Sequence, residues 1–495
     1  MMYKFGLLVQ RGACLAIILS QIGGCAVGPN FVRPAPPDTD RYTHELQSEA
    51  TIAADDQVQH FTSSNTLIAD WWKLFQSTEL NAVVNKAIAN NPTLQASEAS
   101  LAASQDNMRA GYGVFFPQIQ AGAGASRQRT SSLQQGSQTS GKIFNLVTFS
   151  SSVSYAMDVF GGARRSVESL RAQAEYQRYE NVAAYLMLSA NVVNTSIARA
   201  AYYEEICTTK QLIKLEKQQL RLTQAQVNAG TSPYVNVLSI ESLIAANQAL
   251  LAPLEQNLSQ AEHLLAMLEG EFPSKADLPD INLYKFSLPI DLPVSLPSDL
   301  VNQRPDILAA EAQMHVASAK IGVATALMFP SFSLNGTFGT SGTNFGNLTA
   351  SSGKFWSIGP VATIPLFQGT TLWFGRKAAI DAYQQSRANY RQTVLSAFEQ
   401  VADSLKALEH DAEALQAEVE AKRAAGETLK LLQANYRAGL VDYLAVLTAD
   451  VQYRQKKIAY LQALSQRYQD TVALFVALGG GWWNAQGPTD KGKVI

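Results

Sequence analysis

The sequence predicts a membrane protein of mixed class. It reads as two tandem repeats, each with two transmembrane β-strands and long coiled-coil α-helices, and three chains would form a twelve-stranded β-barrel continued by an α-helical barrel. Three observations lead there. The chain is written twice, each half holds a pair of charge-poor alternating strands, and each pair runs into a helix too long for a globular core.

The repeat shows in five landmarks that keep their order. Pro92 and Pro305 are 213 positions apart, as are Pro117 and Pro330. "SGKIF" from Ser140 and "SGKFW" from Ser352 are 212 apart, and "NAGTSPYVNVL" and "RAGLVDYLAVL" set Gly230 from Gly439, and Tyr234 from Tyr443, by 209. Near-constant offsets over five landmarks are hard to obtain by chance.

Each repeat opens with a helix, over about 79 to 112 and about 299 to 327, that runs into Phe-Pro. Proline cannot continue a helix easily and biases its predecessor to extended geometry, so a strand follows. A polar loop and a second strand come next, and in the first repeat Val147, Phe149, Val153, Tyr155 and Met157 fall on one face of that second strand, with Thr148, Ser150, Ser152 and Ser154 on the other. Ile119, Ala121 and Ala123 oppose Gln118 and Gln120 in the preceding strand. In the second repeat Phe332, Leu334 and Phe338 oppose Ser333, Asn335 and Thr337, and Trp356, Ile358, Ala362 and Ile364 oppose Phe355, Ser357 and Thr363. Pro360 and Pro365 argue against a membrane helix there. The polar loops 129–142 and 340–354 connect the strands of each pair.

The long helices carry a different period. Val394, Phe398, Val401, Leu405, Leu408, Ala412, Leu415 and Val419 are spaced alternately four and three apart, a heptad seam. A helix from Phe374 to Ala438 would be about 100 Å long, and its first-repeat counterpart runs from Ala163 to about Ala229. A glycine turn and a returning helix (about 234 to 269; about 443 to 478) complete each unit. The predicted organisation is a signal peptide at 1–24, a lipidated tether and equatorial segment at 25–78 and repeat 1 at 79–269. An inter-repeat linker at 270–298, repeat 2 at 299–478 and a tail at 479–495 follow, with Trp71, Trp72, Trp482 and Trp483 as packing anchors.

The N-terminus reads as an export signal. Lys4 and Arg11 precede a short apolar run that ends in "IGGCAVGPNF", which resembles a lipoprotein signal-peptidase site with Cys25 as the acylated residue. By resemblance to known lipoproteins, Ala26 rather than Asp after it favours sorting to the outer membrane. Taking Lys4 and Arg11 from 39 basic residues leaves 37 against 41 acidic ones, a net of −4 that gives no field for nucleic acid. With Cys14 lost and Cys25 acylated, Cys207 stands alone, so no intramolecular disulfide is expected and Cys207 reads as a small buried apolar residue. Charged residues make up only 16% of the chain against a usual quarter, which suits contact with something less polar than water.

Four strands cannot close a membrane barrel, and lipid does not tolerate an open edge. Two chains would give a barrel filled by its own side chains, whereas three would leave room for water. The long helices would then carry the same conduit onward.

At this point the chain resembles the TolC-type outer-membrane channels, in the lipoprotein or NodT-like branch that serves resistance-nodulation-division efflux pumps. The residues that carry the resemblance are "CAVGPNFVRP", "WWKLFQSTEL", the block from Gln303 through Arg304, Pro305 and Asp306 to Phe329 and Pro330, the paired "AG" turns, and "ALGGGW". The family implies a homotrimer anchored in outer-membrane lipid that works with a periplasmic adaptor and an inner-membrane pump. It implies adaptor contact at the tips Ala229, Gly230, Thr231 and Ser232, and Ala438, Gly439, Leu440 and Val441. Tyr436 and Leu444 match family constriction positions. The acidic ring positions of the family are Ala445 and Thr448 here, which leaves Asp442 and Asp450 as nearby substitutes.

The histidines His44, His60, His263, His315 and His410 have no ligand spacing, and neither a phosphate-binding loop nor a nucleophile elbow is present, so no enzyme, cofactor or metal is expected. Ser351 to Lys354 match S-x-x-K, but as part of a repeated loop tip. The competing function within this architecture is the exit duct of a type I protein-secretion system. A periplasmic coiled-coil scaffold would lack the strand pairs.

Overall fold

The computed structural model describes residues 26–45, 47–64, 67–129 and 141–484. The predicted signal peptide, Cys25 and loop positions 130–140 lie outside the described residues. In chain order the elements are β1 (His60–Ser63), α1 (Thr78–Asn90), α2 (Pro92–Gly111), β2 (Gln118–Arg129), β3 (Ile143–Met157), α3 (Gly162–Asn228) and α4 (Tyr234–Leu268). They continue with β4 (Asp291–Val294), α5 (Pro297–Gln303), α6 (Pro305–Ala326), β5 (Ser331–Gly342), β6 (Lys354–Thr363), α7 (Thr371–Arg437) and α8 (Tyr443–Ala477).

The opening helix of each repeat is not continuous, contrary to expectation. It breaks before Pro92 and again before Pro305, where Asn91 (ψ 121°) and Arg304 (ψ 124°) are extended because a following proline crowds the helical conformation. Asn91 then caps the next helix, its Oδ1 accepting from the amides of Thr93 (2.9 Å) and Leu94 (3.0 Å). The loop expected at 340–354 holds two short 3-10 turns, Phe345–Thr349 and Ser351–Gly353.

The described residues fall into two compact units. The first holds the described part of 1–33 with 101–176 and 310–390. Its strands form one antiparallel sheet in the order β2-β3-β5-β6. Each repeat contributes a hairpin, and the β3–β5 ladder from Val147↔Gly342 to Met157↔Phe332 joins the repeats. Both faces of much of the sheet are open, with Trp356 73% and Phe338 63% exposed and β2 exposed along its whole length. The alternation seen in the sequence therefore does not show as an inside and an outside within one chain. Edge strands β2 and β6 pair with one neighbour each. Residues 26–33, the start of the segment expected as a tether, are docked in this unit, beginning with Val27 N–H to Phe160 O at 3.0 Å.

The second unit holds residues 34–100, 177–309 and the described part of 391–495. Its core is aromatic around fully buried Trp71, Trp72 and Phe75. Trp71 lies 5.6 Å from Phe475, and the Tyr468 hydroxyl donates to Phe286 O at 2.9 Å. The linker expected at 270–298 contains β4, which pairs in parallel with β1. Of the predicted seam on α7, Val394, Val401, Leu405, Leu408, Ala412 and Leu415 are buried, while Phe398 and Val419 are half-buried. Cys207 is half-buried rather than buried. Helix α4 is long and apolar enough to cross a bilayer by composition, but Lys210–Glu255 (2.8 Å) and Arg199–Glu262 (3.3 Å) pair it with α3 as a hairpin.

Candidate functional site

The candidate site comprises the two helix turns and the residues beside the second. Both turns are built alike. Gly230 (φ +75°) and Gly439 (φ +76°) lie in the left-handed region, where a glycine carries no Cβ penalty. Thr231 N–H reaches back to Gln226 O (2.9 Å) and Gly230 N–H to Val227 O (2.9 Å). Leu440 N–H to Asn435 O (2.9 Å) and Gly439 N–H to Tyr436 O (3.0 Å) repeat the pattern, so both long helices end in a Schellman motif. No heavy atom lies within 4 Å of where a Cβ on either glycine would stand, so a side chain has room and the cost of adding one is conformational.

The side chains that follow differ. At the first turn Ser232 Oγ accepts from Asn236 Nδ2 (3.0 Å), and Pro233 begins α4 without a side-chain cap. At the second, Leu440 is 74% exposed and Val441 half-buried, and the Asp442 carboxylate accepts from Ala445 N–H at 2.9 Å to cap α8. Ala229 and Ala438, the last residues before the glycines, are exposed.

The structure brings together three of the four predicted constriction residues. Tyr436 packs on Tyr443 with ring centroids 5.4 Å apart, Asp442 caps the same helix start, and half-buried Leu444 lines a groove of about 590 Å³ with Leu432, Asp442 and Thr448. Asp450 stands apart, two turns along α8, in an ion pair with Arg454 at 3.1 Å. Arg454 also donates to Gln211 of α3, and Gln219 of α3 donates to Thr448 at 3.1 Å. Tyr443 was visible in the sequence only as a repeat landmark, and its tilted ring contact with Tyr436 follows from their positions either side of the turn. Among the described residues no cluster of His, Cys, Asp and Glu has the arrangement of a metal site.

The helix pairs behind the turns carry buried carboxyls that the sequence did not single out. Glu216 is fully buried, its carboxyl pushed up by burial and drawn down less by the hydrogen bond it accepts from Asn247 Nδ2 at 2.6 Å. Burial likewise raises Glu205, which accepts from Gln462 Nε2 at 2.9 Å.

The chain has relatives over nearly its whole length. It is 28% identical to the outer membrane protein OprJ of Pseudomonas aeruginosa, across 95% of this chain and 96% of that one. It is 26% identical to the cation efflux system protein CusC of Escherichia coli, across 95% and 98%. The solved outer-membrane channel OprN superposes with a TM-score of 0.80 at 26% identity, over 92% of this chain and all of that one. This is the fold of a β-barrel continued by long helices. The family described as outer membrane efflux protein matches residues 83–271 and 296–480. The chain belongs to the outer membrane efflux protein family.

Proposed function

We propose that three copies of this chain, each anchored by an acylated Cys25, form the outer-membrane channel of a tripartite efflux pump. It passes small toxic compounds delivered by an inner-membrane resistance-nodulation-division pump and a periplasmic adaptor to the cell exterior, and performs no chemistry of its own. The observation that carries this reading is the four-stranded sheet with one open edge at β2 and another at β6, joined to two helices of 67 residues. In hydrocarbon an open edge leaves several kcal/mol of unmet hydrogen bonding per group, so the edges demand partners. Three such sheets close a barrel of twelve strands wide enough to hold water.

In this arrangement Ala229, Gly230, Thr231 and Ser232, with Ala438, Gly439, Leu440 and Val441, meet the adaptor. Tyr436, Asp442, Leu444 and Asp450 surround the narrow end of the conduit. Leu444→Ala should raise the conductance of the purified protein in a planar bilayer, and unchanged conductance would remove Leu444 from the constriction.

The test of the whole reading is growth of a deletion strain, with and without the gene restored, across detergents, dyes, antibiotics and aromatic solvents. Hypersensitivity that the gene reverses is the expected result. Normal resistance with secreted polypeptide held back in the cell would reassign the channel to protein secretion.

A further inference from the structure

The docked residues Ala26–Arg33 lie between α3 of the first repeat and α6 of the second. Two close backbone approaches seat them. A Cβ on Gly28 (φ +92°) would stand 2.5 Å from Gly322 Cα, and one on Gly161 (φ +79°) would stand 2.5 Å from Ala26 Cα. Real Cβ atoms do not come that near, so glycine is required at both positions.

Arg165 of α3 closes the groove. Its side chain is buried, and its guanidinium donates to Val27 O (3.2 Å), Gly28 O (3.4 Å), Asn30 Oδ1 (2.7 Å) and Glu168 Oε2 (2.7 Å). A Cβ on Gly322 would press on the Arg165 stem at 2.7 Å, so the third glycine makes room for the clamp itself. Further along, Phe31 stacks on His315 with centroids 4.4 Å apart, His315 Nε2 meets Glu168 Oε1 at 2.9 Å, and Arg33 pairs with Glu311 at 2.9 Å. Glu311 and His315 are four residues apart and His315 and Gly322 seven apart, along one side of α6, so the segment follows that helix with its direction reversed.

The place of this contact is informative. Phe160, which receives Val27, lies three residues after β3 ends, and its ring stacks on Phe329 just before β5 at 4.7 Å. The β3–β5 ladder is the one strand pairing between the repeats in the four-stranded sheet, and it joins segments far apart in sequence. Such non-local pairing carries a loop-closure cost that local hairpins do not.

We infer that Ala26–Arg33 is a clasp that fastens the first repeat to the second at the foot of the β3–β5 ladder, and so ties the anchored end of the chain to the barrel wall. The second half of this statement rests on acylation of Cys25, whereas the first does not.

The test compares Arg165→Met with a chain in which Val27→Cys and Phe160→Cys can form a disulfide in place of the clamp, both in a Cys207→Ala background. The readout is amide hydrogen exchange of the purified full chain, with its intact mass reporting acylation separately. Arg165→Met should speed exchange by roughly tenfold in β3 and β5 while amides of α8 keep their rate, because only the local opening energy falls. The disulfide should form spontaneously in the cell envelope and restore the original rates. Unchanged exchange in Arg165→Met, a pair that stays reduced, or a disulfide that forms without restoring β3 and β5 would each overturn the clasp. If Arg165→Met never reaches the membrane, failure of the disulfide to recover it does the same. A chain that lacks the acyl mass but passes these tests retains the clasp and loses only its tie to the membrane.

Discussion

The turn at Gly230 and the turn at Gly439 have φ of +75° and +76° and the same two reach-back bonds, yet their next residues are Thr231, Ser232 and Pro233 at one and Leu440, Val441 and Asp442 at the other. The long helices that lead to them contrast in the same way. On α7 the buried seam is apolar, from Val394 through Leu415. On α3 the buried face includes Asn181, Thr195, Thr209, Glu216 and Thr223, at multiples of seven residues. Duplication has therefore kept the backbone geometry and changed the chemistry laid on it. An apolar seam is tolerant of register, whereas buried polar groups cost free energy unless one partner arrangement satisfies them. Helix α3 therefore specifies its neighbours more narrowly than α7 does.

The largest effect expected from breaking this comparison is at the turns. Gly230→Val and Gly439→Val each force a β-branched residue into the left-handed region, and each should abolish efflux in a complementation assay while the protein still reaches the membrane. Loss of the assembled protein instead would show that the turns serve folding alone. Equal losses would mark the shared backbone as what the partner reads, and unequal ones the differing side chains.

A smaller effect separates the long helices. Asn247→Leu leaves the buried Glu216 carboxyl without its donor and should cost about 1–3 kcal/mol in chemical denaturation. A substitution of Leu408 by Met on the apolar seam should cost less than about 1.5 kcal/mol.

The buried carboxyls of α3 also make stability depend on pH. Because burial raises the folded pKa of Glu205 and Glu216, both hold a proton more tightly folded than unfolded. Their contribution is fully present below the ordinary carboxylate value near ~4.3 and is lost as pH rises through the raised value. Glu205→Gln with Glu216→Gln should flatten the fall in stability between acidic and neutral pH, as read by denaturation midpoints. The smallest effect is at the caps, where Asp442→Ala should cost about 1 kcal/mol and Pro233→Ala, which removes no side-chain bond, close to nothing.

Much of this was legible because it is written in local patterns. The heptad period of α7, the alternation of the strands and the glycine turns each need only neighbouring residues, and their observed boundaries lie within a few positions of those read from sequence. Pro92 and Pro305 were also plain in the sequence, but they served as repeat landmarks while the extended residue each one imposes was missed. The contacts of Arg165 and of Arg467 were not legible. Arg165 meets the N-terminal segment more than 130 positions away, and Arg467 is buried against Gln59 Oε1 (3.0 Å) and the carbonyls of Ala54 and Gln57 more than 400 away. No period marks such partners, and the glycines that admit them look like any others until two backbones are seen to meet. At the constriction, similarity of type pointed to Tyr436 and Leu444, and only the structure shows Asp442 occupied as a helix cap and Asp450 paired with Arg454.

The most direct measurement is the number of chains in the detergent-extracted complex, by native mass spectrometry. Four strands with two open edges in each chain predict three copies and a barrel of twelve strands. A monomer or a dimer as the assembled form would contradict the shared barrel, and with it the conduit.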